Sequence, residues 1–399
     1  MESIVLYTEE IDDLDEAVGE LFAGLGDFKF KKNSLGIIFA EGDTDYPALH
    51  ALLSEKLHCP IIGCTALAML NGVLGYRGTG ISLLLLTADD CFFSAGMTDD
   101  LTMDNYREEI ASVYEDLAAR LPSEPKLVIS FGGMVSDDND VSGDKVIRRI
   151  DEIAKTKIPI FGSLSSDGFD YTKYRGFVDG AETRHGQVIA LVSGNVNPKF
   201  VTINSIDSRA NFSYEVTEAH GNKVVRLGTR SFVETLEHED MAIDKTDVLA
   251  DYLLSPFVLT RTLPSGDSIE VARNLATLNH ETGVGSFLGE VPEGAILGVG
   301  LISRVSVENS VNNAFEKIFA DISTDKEKYH TLLCISCCAR FLAMASDTAA
   351  ETKAYLGKLP EGVSLIGMYG YGEYSPVYGD KTKEIYNLFH NFTFTIMAI

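Results

Sequence analysis

Positive charge is scarce in this sequence: 33 Lys+Arg stand against 59 Asp+Glu, a formal net charge of −26 at neutral pH. A surface this acidic is repelled by nucleic-acid phosphates and anionic membranes unless a local basic patch intervenes. The densest cationic stretches, Lys29-Lys31-Lys32 and Lys145-Arg148-Arg149, are short and sit among acids, so no nucleic-acid partner is expected. No signal peptide is expected either, because the opening segment MESIVLYTEEIDDLDE is acidic and lacks a small-residue cleavage site. Long apolar runs are also absent. The run around Ile81–Leu86 falls far short of the ~20 residues that span a bilayer, so no membrane insertion is expected. Cysteine is sparse: Cys59, Cys64, Cys91, Cys334, Cys337 and Cys338 lie in apolar segments, as reduced core thiols of a cytoplasmic protein do.

Several enzyme signatures are lacking. There is no G-x-x-x-x-G-K-[ST] loop, no G-x-G-x-x-G opening a helix after the first strand, and no H-E-x-x-H. The segment 162–168, GSLSSDG, fails the G-x-S-x-G spacing of a nucleophile elbow. Cys334-Ile335-Ser336-Cys337 has C-x-x-C spacing but no second ligand pair, and core packing competes with metal or redox chemistry as its explanation. No cofactor is expected.

What the sequence does contain is a recurring pattern. Apolar residues at Leu14, Ala17, Val18, Leu21, Phe22 and Leu25 have the spacing of one helix face. The same spacing recurs over Ile110–Leu121 and Val311–Phe319. Strand-like segments precede each helix: Ser3–Thr8, Cys91–Met97 and Ala295–Val305. Near-continuous apolar runs follow, at Leu35–Ala40, Lys126–Phe131 and Thr331–Ser336, as in strands buried on both faces. Second helices are then predicted over Tyr46–Leu57, Asp144–Ala154 and Thr348–Leu356. Short strands ending in Gly-rich turns come next, at 59–69, 158–168 and 363–373, and closing strands at 80–87, 186–193 and 389–399. Strand–helix–strand–helix–strand–turn–strand thus occurs three times. The pattern predicts an α/β fold with mixed, largely parallel sheets covered by helices, in two domains, 1–225 and 226–399. Between the second and third units, alternation around His220-Gly221-Asn222 predicts antiparallel strands, and a helix is expected near Asp247–Leu254.

The three Gly-rich turns are the candidate ligand positions, because ligands of open α/β sheets gather at strand carboxyl ends. They offer Cys64 and Thr65; Ser163, Ser165 and Asp167; and Tyr369, Tyr371, Gly372 and Glu373. The simpler alternative is that their glycines only permit tight turns. Arg340, just past the third buried run, and Glu373 could hold the two ends of a zwitterion, or pair with each other. Asn391 either contacts a ligand or bonds nearby turn backbone. Cys64 would be a nucleophile only if a positive neighbour lowered its pKa.

These segments resemble FIST-domain proteins, named for F-box and intracellular signal transduction proteins. The FIST N resemblance spans roughly 30–225 and runs through IIGCTALAM, FGGMVSDDN, IPIFGSLSSDG and VTEAHGNKVVRLGTRSFVETL. The FIST C resemblance, roughly 245–399, runs through Val271-Ala272-Arg273, Glu290–Gly294, Cys337–Arg340, Gly367–Pro376 and His390–Thr393. The resemblance implies a sensory protein that binds a small ligand, such as an amino acid or related metabolite, and carries over no catalytic residue. The FIST-like region fills the chain, leaving no room for an appended signalling module, so a separate partner protein is expected to carry the signal. The alternatives are an enzyme using a turn residue such as Cys64, or an interaction scaffold without a small ligand.

Overall fold

The computed structural model describes residues 1–134, 140–323, 329–345, 347 and 349–399. Part of the FGGMVSDDN segment, 135–139, and Thr348 at the start of one predicted helix lie outside these residues. The first unit comprises β1 (Glu2–Thr8), α1 (Leu14–Gly24), β2 (Asn33–Ala40), α2 (Tyr46–Ser54), β3 (Ile61–Thr65), the hairpin β4–β5 (Met69–Asn71, Gly75–Arg77) and β6 (Ile81–Ala88). The second comprises β7 (Cys91–Met97), α3 (Tyr106–Ala119), β8 (Pro125–Gly132), α4 (Gly143–Ile153), β9 (Ile160–Leu164), the hairpin β10–β11 (Gly176–Val178, Ala181–Thr183) and β12 (Gln187–Gly194). The third begins with β13 (Lys199–Asn204) and is then interrupted by β14 (Ser208–His220), β15 (Lys223–Leu227), β16 (Arg230–Ser231), α5 (Phe232–His238), β17 (Phe257–Thr262), β18 (Ser268–Arg273), β19 (Leu275–Asn279), β20 (Val284–Phe287) and β21 (Ile296–Leu301). It resumes with α6 (Arg304–Ser323), β22 (Thr331–Cys337), α7 (Cys338–Met344), β23 (Ser364–Gly370), the hairpin β24–β25 (Gly372–Tyr378, Ile385–His390) and β26 (Thr393–Ala398).

Each unit builds four strands of one sheet and lends its hairpin to another. The sheets run β1-β6-β2-β3-β10-β11, then β7-β12-β8-β9-β24-β25, then β13-β26-β22-β23-β4-β5. The hairpins therefore pass cyclically: unit two to sheet one, unit three to sheet two, unit one to sheet three. The equivalence holds in register, since Gly63, Gly162 and Gly367 stand opposite Ile38, Ser130 and Cys334 in the three parallel pairs. A Cβ on Gly63 or Gly162 would lie 1.8 or 1.7 Å from the facing carbonyl oxygen, so only glycine permits this close approach of strands.

The apolar runs are buried on both faces, and alternate residues divide between two layers. Ile37 and Phe39, Leu127, Ile129 and Phe131, and Leu333 and Ile335 meet in one core shared by the three sheets. Ile38 instead packs with α1 and α2, through Ala17, Val18, Leu21, Leu49 and Leu53. Val128, Leu332 and Cys334 pack with the helices of the other two units, including Ile147 and Ile150 of α4 and Val311 and Phe315 of α6. Asp13 and Asp45 cap α1 and α2 by accepting from the amides of Glu16 and Ala48, at 3.1 Å in each case.

The α/β class and the mixed sheets are as the sequence suggests, but parallel pairing is narrower than expected. Each of the three shared sheets has one parallel pair, and the remaining pairings are antiparallel. The cause is that the closing strands β6, β12 and β26 insert beside β2, β8 and β22 rather than extending the parallel row. The inserted sheet, β18-β17-β21-β14-β15-β20-β19, is wholly antiparallel and has its own core around Phe232, Phe257 and Phe287. Position 225 lies inside its strand β15.

Three local expectations are corrected. The segment expected as the third unit's first strand, Ala295–Val305, forms β21 of the insert, while β13 takes that place by pairing with β26. Asp247–Leu254 is not helical, because its backbone is drawn to the insert's edge. Val248 N–H donates to the Ala276 carbonyl at 3.0 Å, and Leu278 N–H to that of Thr246 at 2.8 Å. The third unit's helix after its buried run is α7, and among the described residues of the expected Thr348–Leu356 stretch the one helical element is a 3-10 turn, Glu351–Ala354.

Candidate functional site

The three Gly-rich turns converge and bind one another. Ser166 Oγ donates to the Tyr369 carbonyl at 2.5 Å and accepts from Leu67 N–H at 2.8 Å, linking all three. Tyr369 N–H donates to the Ala68 carbonyl and Tyr371 N–H to that of Leu164. Their polar groups are thus largely consumed within the protein. Thr65 Oγ1 accepts from Arg175 N–H at 3.0 Å. Ser163 Oγ donates to the Leu164 and Gly372 carbonyls, and Ser165 Oγ to Gly132. Gly372 lies against Phe389, whose ring would be 2.4 Å from an added Cβ. Tyr369 is fully buried, with its ring edge-on to Tyr76 and Phe341.

Cys64 is not placed as a nucleophile. It sits in the central core with its sulfur 3.4 Å from Met368 Sδ, and burial pushes its thiol well above the ordinary value. The C-x-x-C cysteines Cys334 and Cys337 are buried likewise, and their thiols are pushed up mainly by burial. Among the described residues, no group of three His, Cys, Asp or Glu is placed to hold a metal ion. No helix among them is long and apolar enough to cross a membrane.

Arg340 and Glu373 do not form a clamp. Arg340 is completely buried, and its Nε and Nη2 donate to Glu351 Oε1 at 2.9 and 2.7 Å. Nε also reaches Ser336 Oγ at 3.1 Å, and Nη1 donates to Ser310 at 2.9 Å and to Ser205. The anionic partner is therefore Glu351, which the sequence reading did not name. Glu373, also completely buried, accepts from Thr393 Oγ1 at 2.6 Å. Burial outweighs the Thr393 and Cys337 hydrogen bonds and pushes its pKa up to about 8, so its carboxyl is mostly protonated at neutral pH.

A cavity of about 210 Å³ opens beside these turns. Its base is Cys337, Cys338, Tyr371, Asn391 and Phe392; Met134, Phe169 and Tyr171 flank it; Asp247, Leu249, Ala250, Leu253, Asn274 and Leu288 of the insert cover it. Of the predicted site residues, it gathers Tyr371 and Asn391. Three lining residues, Phe169, Tyr171 and Phe392, have left-handed backbone with φ of 69°, 59° and 62°. Bulky residues rarely adopt this conformation, which costs on the order of 1 kcal/mol each and concentrates at functional sites. Asp167 holds the first two: its Oδ1 accepts from Phe169 and Tyr171 N–H at 3.1 and 3.2 Å and from the Tyr371 hydroxyl at 2.5 Å.

Sequence reasoning noted Asp167 only as a turn residue, and it missed Phe169, Tyr171, Asn274 and Phe392. Phe392 lies in the quoted His390–Thr393 segment and Phe169 immediately follows GSLSSDG, so proximity to those motifs was the available signal. Asn274 likewise immediately follows the quoted Val271-Ala272-Arg273 segment.

A larger groove of about 440 Å³ lies between α4, β25 and the insert. Its charges are mostly paired internally: Arg273 with Asp144, Arg148 with Glu290, and Lys157 with Asp151.

A comparison with curated proteins finds no match. Among solved structures, the chain is similar to one described as "Cyanuric acid hydrolase: evolutionary innovation by structural concatenation", at 10% identity and a TM-score of 0.36, covering 100% of this chain and 99% of that one. Residues 34–230 match the FIST N domain and residues 234–376 the FIST C domain. The chain belongs to the FIST family, as a FIST N domain followed by a FIST C domain.

Proposed function

We propose that this protein is a sensor that takes a small molecule into the cavity between the converging turns and the inserted sheet. The observation that carries the reading is the make-up of that cavity, in which aromatic residues held in left-handed backbone face a cover supplied by a separately cored sheet. FIST domains are associated with signal transduction and small-ligand sensing, which agrees with it. A ligand contacting both base and cover favours the arrangement in which the insert is seated on the core, and that bias is the signal. The output passes to a partner protein, and the setting is the cytoplasm.

An amino acid is a weaker candidate than the sequence suggested. The expected receptor for its carboxylate, Arg340, is occupied by Glu351, and Glu373 is mostly uncharged at neutral pH. Replacing Ala250, exposed at the cavity mouth, by Trp blocks entry without touching a core. A screen of small metabolites at millimolar concentration should raise the melting temperature in a concentration-dependent way, and Ala250→Trp should abolish the rise. A screen that moves nothing, or a rise that persists in Ala250→Trp, would remove the cavity as the site.

A further inference from the structure

The polar groups of the cavity are unevenly matched. Asn391 is 2% exposed; its Nδ2 donates to the His390 carbonyl at 3.1 Å, and its Oδ1 has no partner among the described residues. That donor fixes which way the amide points, since a flipped amide would set two oxygens against each other. Asn274, on the insert's side, is 7% exposed, and its Oδ1 also lacks a partner among the described residues. Buried acceptors left unpaired are costly, and these two belong to residues that line the same cavity, where donors brought from outside would relieve both.

The remaining lining chemistry narrows the donor. The Tyr371 hydroxyl is spent on Asp167, and among the described lining residues there is no Lys, Arg or His. The only ionisable carboxylate there is Asp247, exposed at the mouth. An anionic ligand would therefore meet two amide oxygens and a carboxylate with no cation to offset them. Phe169, Tyr171 and Phe392 offer flat apolar faces to the rest of the molecule.

Resting on the reading of this cavity as the ligand site, we infer that the ligand is an uncharged small molecule carrying at least two N–H donors on an amide- or ureide-like edge, received by Asn274 and Asn391. The two asparagines lie on opposite sides of the junction, one on the insert and one on the core. A ligand that bonds both ties cover to base, which is the coupling a sensor needs.

The experiment uses the full chain and matched probes, read by calorimetry and melting temperature. The probes are benzamide, N,N-dimethylbenzamide and benzoate, and uracil, 1,3-dimethyluracil and orotate. The expected result is binding of at least one N–H probe, with its methylated and anionic counterparts weaker by roughly tenfold or more. Asn274→Leu, which replaces an unpaired polar group by an apolar one of similar size, should leave the unliganded melting temperature unchanged or higher while weakening the N–H probe by a similar factor. Methylated or anionic probes that bind as tightly as their N–H counterparts would overturn the inference and leave the cavity standing as the site. Failure of every probe, alongside a metabolite screen that finds other ligands blocked by Ala250→Trp, would overturn it equally. Failure of every probe with no ligand found at all would overturn both readings.

Discussion

Arg340→Met tests whether this arginine is a structural ion-pair partner or a ligand receptor. Both Arg340 and Glu351 are completely buried, and the guanidinium gives Glu351 Oε1 two hydrogen bonds. Removing it strands a carboxylate away from water, which costs about 3–5 kcal/mol. The Ser310 and Ser205 hydroxyls lose a donor but keep their own bonds to the Val307 and Phe392 carbonyls, so they add little. Unfolding entropy of about 2.1 cal/mol/K per residue amounts to roughly 0.8 kcal/mol/K over the chain, so the melting temperature should fall by about 4–6 °C. Glu351→Leu should fall by a similar amount, since it leaves the cation unpaired. The double variant Arg340→Met/Glu351→Leu should recover most of the loss, because a buried pair replaced by apolar side chains is close to neutral. Scanning calorimetry of the four proteins closes this cycle. A single-variant shift within 1 °C, or losses that simply add in the double variant, would refute the pairing and return Arg340 to the list of candidate ligand receptors.

Glu373 makes the fold sensitive to alkali. Its folded-state pKa, about 8, lies above the ordinary value of 4.5, so the folded state holds the proton more tightly and this contribution to stability declines as pH rises from about 4.5 to 8. The slope approaches roughly 1.4 kcal/mol per pH unit, and Glu373→Gln, which mimics the neutral acid, should flatten stability measured across that window; an unchanged slope would show that Glu373 is ionised in the fold. Gly63→Ala should lower stability by several kcal/mol or prevent folding, because its Cβ would lie 1.8 Å from the Ile38 carbonyl oxygen; near-wild-type melting would disprove the close approach of β2 and β3. Thiol labelling at neutral pH should modify the partly exposed Cys59 first and leave Cys64 protected until denaturant is added. Equal rates at Cys59 and Cys64 would contradict the core position of Cys64.

The recurring unit was legible because its signal is local: a 3.6-residue apolar period, a run buried on both faces, then a glycine. Register confirms it, with Gly63, Gly162 and Gly367 in equivalent places. Exchange of hairpins was not legible, because Met69–Asn71 carries no mark that it pairs with β23 of a different unit, nearly 300 residues away in sequence. The insert concealed the third unit's start for the same reason: β13 and α6 are separated by an entire sheet. Of the residues that line the candidate cavity, Tyr371 and Asn391 were named from compact motifs, whereas Asn274, at the junction of β18 and β19, adjoins a quoted segment but carried no chemical mark of its own. Arg340 was recognised as unusual, but its partner depends on how α7 meets the following 3-10 turn.

The exchange of hairpins also explains why the cavity lies where it does. Each of β3, β9 and β23 ends at a turn that must feed a hairpin into a different sheet, so the three turns are forced together and satisfy one another. Most of that convergence is bonded internally, the Tyr369 hydroxyl and Glu373 Oε1 being the exceptions among the described residues. The cavity forms instead at one side, where the chain breaks the threefold pattern by leaving β13, building the inserted sheet and returning through α6. That break supplies a cover which the other two units lack, and places Asn274 above a base containing Asn391. On the proposed reading, the repeated units provide an interlocked floor, while the feature that departs from the repeat supplies the element whose position a ligand would bias.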